Sequence, residues 1–159
     1  MRRRYDRGFS LVEVMVAMSI STIVVMGGMA ALQVSARLAQ QGVIKTRAVA
    51  LAQGRLEAKR SVRWEALLQD DLDHDGRTDV VMADDGQGAD VSAGDGIYSA
   101  QWERDGVTLK WTVEMDRLGP LSTAGLVTIR AAASYQALGS VRVVEVGTVR
   151  ANPTFTGAR

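Results

Sequence analysis

The pattern of apolar and polar positions divides the chain into successive regimes. From Phe9 to Val34, twenty-six residues carry a single ionisable side chain, Glu13. At about 1.5 Å per residue a helix of that length spans about 39 Å. The hydrocarbon core of a bilayer is about 30 Å thick. The pattern therefore predicts a tilted membrane-crossing helix over residues 9–34. Beyond it the apolar positions narrow to a stripe: Ile44, Ala48, Leu51, Ala52 and Leu56 recur at helical spacing, with Lys45, Arg47, Gln53, Glu57 and Arg60 opposite. This predicts the same helix leaving the membrane over residues 35–69 and burying its stripe against whatever follows.

Residues 70–96 lose all period. They hold nine of the chain's eighteen acids and five glycines, a composition that excludes a helix or a buried strand. Period two then takes over. Residues 97–104, with Tyr98 and Trp102, read as a strand, and Asp105-Gly106 as a hairpin turn. Val107, Leu109, Trp111, Val113 and Met115 alternate with Thr108, Lys110, Thr112, Glu114 and Asp116. Val127, Ile129, Ala131, Ala133 and Tyr135 form a third alternation, and residues 141–149 a less regular fourth. Such alternation makes one face dry and one wet. The fold class expected is α+β: a long N-terminal helix packed on a small antiparallel sheet over residues 97–150. Residues 151–159 read as a loose tail.

Charge adds direction. Arg2, Arg3, Arg4 and Arg7, against Asp6 alone, precede the apolar run. Basic flanks stay cytoplasmic, so the N-terminus is expected inside and everything after Gln40 outside. The 159 residues allow one soluble domain beyond the anchor. Net charge is +1; losing residues 1–8 removes four arginines and one aspartate, a net +3, and leaves −2. Neither value is the electrostatic footprint of a nucleic-acid binder. With no cysteine, disulfides and thiol chemistry are both excluded. His74 is the only histidine, and no G-x-S-x-G, glycine-rich phosphate loop or H-E-x-x-H element is present. No enzymatic activity is expected.

Glu13 demands an explanation. A carboxylate in a membrane helix costs roughly 2.5–3.5 kcal/mol near the bilayer centre, less near an interface. A secretory signal peptide would have a shorter core and a cleavage site behind it; a plain anchor accounts for the length and the arginines but not the glutamate. The run Arg7-Gly8-Phe9-Ser10-Leu11-Val12-Glu13-Val14 closely resembles the class III leader junction of type IV pilins and type II secretion pseudopilins. The resemblance covers roughly the first 35 residues, with a weaker echo to about residue 70. It implies that a membrane peptidase cuts between Gly8 and Phe9 and N-methylates Phe9. It also implies that Glu13, fifth in the mature chain, pairs with the terminal amine of a neighbouring subunit. The implied function is a minor pilin of a bacterial type IV pilus, with a minor pseudopilin of type II secretion as the alternative. Implied partners are prepilin peptidase, other pilin or pseudopilin subunits and the inner-membrane assembly platform. The implied location is the inner membrane, then the filament, with the C-terminal domain periplasmic or extracellular. The tip-capping pseudopilin lacks this glutamate, so Glu13 argues against that subunit.

The chain departs from many pilins in having no C-terminal disulfide and no proline in the helix, since its prolines are Pro120 and Pro153. Gly27-Gly28 could serve close packing between membrane helices or act as a soft point. A reading outside this class is a membrane-anchored calcium-binding module that never assembles.

Asp71 to Asp79 spell D-x-D-x-D-G-x-x-D. In an EF-hand-type loop, Asp71, Asp73 and Asp75 would supply carboxylates, Gly76 the turn, Arg77 a backbone carbonyl and Asp79 a further ligand. The bidentate acid of the last position is replaced by Met82, and Asp84 or Asp85 could fold back to compensate. Asp84, Asp85, Asp90 and Asp95 form a second cluster. Oxygen-only donors favour calcium. The alternative is a solvated acidic loop.

Overall fold

The computed structural model describes residues 8–73, 75–137 and 139–155. It divides into two compact units, Met1–Gly42 and Val43–Arg159. Within the described part of the first unit the chain is helical from Leu11. Its large apolar side chains, among them Val12, Met15, Ile23, Met26 and Leu32, are exposed. Helix α1 runs on to Ser61 without interruption at Gly27-Gly28.

The second unit is the predicted α+β layer pair. Strands β3 (Ile97–Arg104), β4 (Val107–Met115), β5 (Leu126–Ala137) and β6 (Ser140–Ala151) form an antiparallel meander in chain order. Trp111 lies opposite Ala100 on one side and Ala131 on the other. The alternating positions of β4 and β5 are buried, from Val107 to Met115 and from Val127 to Tyr135. Ala48 and Ala52 of α1 belong to the same buried cluster, with Ile44, Leu51 and Leu56 packed around it. Small residues on the helix face, and Ala131 and Ala133 on β5, leave room for close packing of backbone on backbone.

Three boundaries differ from the sequence reading. The helix stops at Ser61 rather than running to residue 69. The next residues form a 3₁₀ turn, Trp64–Ala66, that carries Trp64 and Leu67 into the core. The last helical carbonyls, which have no partner within the helix, are served from β6. Arg150 Nη1 donates to the Lys59 carbonyl at 2.8 Å and Nη2 to the Val62 carbonyl at 2.6 Å.

Residues 70–96 are also not all loop. β1 (Gln69–Asp70) pairs with β2 (Val80–Val81), and an isolated bridge joins Ala83 to Ser99 of β3. Finally, the start of the tail is fixed. Asn152 is buried; its backbone N–H donates to Gly125 and its side-chain amide to the Ala124 carbonyl.

Candidate functional site

Three places concentrate chemistry. The first is the start of α1. Ser10 precedes the first helical residue, and its hydroxyl accepts from the Glu13 backbone N–H at 3.2 Å. Its carbonyl accepts from Val14 N–H at 3.2 Å, the first bond of the helical ladder. Ser10-Leu11-Val12-Glu13 thus has the S-x-x-E spacing of a capping box, with the hydroxyl half of it formed. Phe9 is exposed. Further along, Ser19, Thr22 and Ser35 each donate to the carbonyl four residues back, at 2.8–2.9 Å. A hydroxyl satisfied by its own helix can enter a bilayer cheaply. The most apolar 18-residue window has a mean hydropathy of 2.0 and no residue buried within the protein. Gly8 lies just ahead of the helix and Glu13 in its first turn. The basic residues ahead of Gly8 lie outside the described residues.

The second place was not foreseen. Asp70, the first acid of the acidic run, is buried and accepts from three groups at once. Arg55 Nη1 reaches Oδ1 at 2.8 Å. Lys59 Nζ and Trp111 Nε1 both reach Oδ2 at 2.8 Å. Arg55 also stacks on Trp111, 4.7 Å from guanidinium to ring centroid. Lys59 is 1% exposed and donates in addition to the carbonyls of Leu67 and Gln69. Burial pushes the Lys59 ammonium below its ordinary range, and the Asp70 carboxylate opposes that shift. The cluster ties helix, β1 and β4 together in a chain without disulfides. A signal for it existed. Ala48, Ala52, Arg55 and Lys59 follow the spacing i, i+4, i+7, i+11, so both cations continue the buried stripe.

The third place is the pair of acidic loops. Carboxylate oxygens of Asp71, Asp73 and Asp79 lie within 4.8 Å of one another, as do those of Asp84, Asp90 and Asp95. Asp75 is outside the first triad; its Oδ1 accepts from the Arg77 N–H at 2.8 Å. Asp85 is outside the second and accepts from Gln87. The expectation that Asp84 or Asp85 completes the first loop fails. Asp84 instead gathers the backbone N–H groups of Gly94, Asp95 and Gly96. Met82 is buried and its N–H bonds the Leu68 carbonyl, so the last EF-hand position belongs to the core. The Gly86 N–H, helped by those of Val91, Ser92 and Asp85, holds the Asp90 carboxyl below its usual range against the cost of burial. Each triad offers the hard oxygen donors that calcium takes, though six to eight are needed in all. Carbonyls and water would have to supply the rest. His74 lies outside the described residues.

A family model described as the prokaryotic N-terminal methylation motif matches residues 3–29. Residues 3–29 carry an N-terminal methylation motif of the prokaryotic type. The match brackets Gly8, Phe9 and Glu13 and ends inside the apolar helix. The motif, the exposed apolar helix and the α+β architecture are together consistent with a type IV pilin-like protein. No curated protein and no solved structure is significantly similar to the chain.

Proposed function

We propose that the protein is a minor pilin of a bacterial type IV pilus, a structural subunit without enzymatic activity. Supporting this is the coincidence of the methylation motif with a helix that begins three residues after Gly8 and exposes its apolar side chains all round. Prepilin peptidase cuts between Gly8 and Phe9 and methylates the new amine. The chain rests in the inner membrane with its N-terminus cytoplasmic until the assembly platform extracts it into the filament. Residues 43–159 then lie on the periplasmic or extracellular side. A minor pseudopilin of type II secretion would use the same processing and the same helix, and is the alternative within the class.

Glu13 is tolerable in an apolar helix when a cation meets it, and the free amine of a neighbouring subunit is the cation that processing creates. Glu13→Ala is therefore expected to be cut and retained in the membrane but recovered in sheared filaments at a small fraction of the wild-type level. The check is mass spectrometry of the membrane fraction beside immunoblotting of the sheared fraction. Normal recovery would remove the pairing role. A wild-type chain that does not begin at methylated Phe9 would remove the class altogether and leave the anchored calcium-binding module.

The acidic loops support a calcium proposal, since each gathers three carboxylates within one ion's reach. Asp71 and Asp79 flank β1 and β2, so an ion there would fix the entry to the sheet. Ligand binding to the folded state stabilises it by RT ln(1 + [Ca]/Kd), about 2.7 kcal/mol at a hundredfold excess over Kd. Extracellular calcium modules often bind at about 10⁻⁴–10⁻³ M, so millimolar calcium is expected to give a smaller rise in Tm. Melting of the processed protein in chelator, calcium and magnesium measures it. A rise specific to calcium that Asp73→Ala and Asp79→Ala abolish supports the site. Equal responses to both ions mean screening of a solvated loop.

A further inference from the structure

We infer that Ser10 is a positioning residue for Glu13, acting as the N-cap that holds the first turn of α1 closed beside the processed terminus. The inference rests on the pilin-type reading for its role in assembly, though not for the cap itself. The first four N–H groups of a helix lack partners inside it. Where water is scarce, each unsatisfied group is costly. The Ser10 hydroxyl accepts the Glu13 N–H at 3.2 Å, and the Ser10 carbonyl accepts the Val14 N–H at 3.2 Å, so Glu13 is the third residue of the helix.

Cutting after Gly8 makes this end harder to keep folded. The new amine would sit on Phe9, next to the cap residue. A positive charge there opposes the positive end of the helix macrodipole. N-methylation leaves the amine basic and does not relieve the conflict. Two groups do: the hydroxyl that satisfies an orphan donor, and a carboxylate in the first turn. Ser10 and Glu13 are those groups. If the turn frays, Glu13 loses its fixed position one turn from the terminus. A neighbour's amine then meets a carboxylate that must be ordered anew. Ser10 thus acts through Glu13 rather than touching the partner.

Side-chain size and capping chemistry make opposite demands at this position, and that separates them. Asn caps about as well as Ser, whereas Ala and Val do not cap. A peptidase that simply requires a small residue would accept Ala and resist Asn. The experiment uses the full chain, co-expressed with prepilin peptidase, as wild type, Ser10→Ala, Ser10→Val, Ser10→Thr and Ser10→Asn. Amide exchange at Glu13 is measured in detergent micelles, the start of the chain by mass spectrometry, and assembly by recovery in the sheared fraction.

Ala and Val are expected to lose about fivefold in protection at the Glu13 amide, the typical worth of a cap. Thr and Asn are expected to keep it. Assembly should fall with Ala and recover with Asn. The double variant Ser10→Ala, Glu13→Ala should assemble no worse than Glu13→Ala alone, because the two residues act as one unit. Unchanged Glu13 exchange in Ser10→Ala overturns the cap. An additive loss in the double variant overturns the positioning role. A wild-type chain left uncut at Gly8 sinks the pilin reading instead, and the exchange comparison still decides the cap.

Discussion

Asp70→Ala is expected to cost the soluble unit roughly 3–5 kcal/mol, the usual penalty for breaking a buried ion pair from one side. Two cations depend on this carboxylate, and the side chains of Arg55, Lys59 and Asp70 are only 10%, 1% and 3% exposed. Removing the acid leaves a buried ammonium and a buried guanidinium facing each other. It also orphans the Trp111 indole N–H at the centre of the sheet. Against a total of about 5–15 kcal/mol for a typical domain, that loss leaves little. Lys59→Met should cost less, because Asp70 keeps Arg55 and Trp111 and the buried charge is removed rather than abandoned. Asp73→Ala, on an exposed loop, should change stability by no more than about 0.5 kcal/mol in chelator. Denaturant melts of the four proteins give the order directly. An Asp70→Ala midpoint close to wild type would mean that water already solvates the cluster.

The strands and the two helical regimes were legible because each is written in a period. The alternation Val107 to Met115 and Val127 to Tyr135 is the buried face as built, residue for residue. The N-terminal motif was legible for another reason: it is a pattern of linear sequence, matched over residues 3–29, so its signal needs no fold. What escaped was whatever depends on distance across the chain. Asp70 looked like one more acid in an acidic run, yet it is the most deeply buried acid of that run. Nothing local distinguishes it from Asp71; its partners sit 11 and 15 positions before it and 41 after. The end of α1 escaped for the same reason, since the group that serves its last carbonyls is Arg150, about ninety residues away. Arg55 and Lys59 were half-legible. Their spacing put them on the apolar stripe, and their charge argued them off it.

The assignment of the N-terminus stands or falls on Gly8→Val. A side chain built at Gly8 would meet no atom of the described residues within 4 Å. Packing among the described residues therefore gives no reason for a glycine here. On the proposed processing, the requirement for glycine comes from a peptidase that draws the backbone into its active site and has no space beside it. Valine, branched at Cβ, is the severe case. The variant is expected to accumulate in the membrane as an uncut, unmethylated chain, with mature protein reduced by more than tenfold. Its soluble unit should melt at the wild-type temperature, because residues 43–159 form a compact unit that does not include the junction. Intact-mass measurement of detergent-extracted protein separates the two forms, since the leader includes four arginines. Should Gly8→Val yield chains that begin at methylated Phe9 in wild-type amounts, the glycine is not read and the class III assignment is wrong. Should it remain uncut and still reach filaments, Glu13 cannot be pairing with a processed amine, because that amine would never have formed.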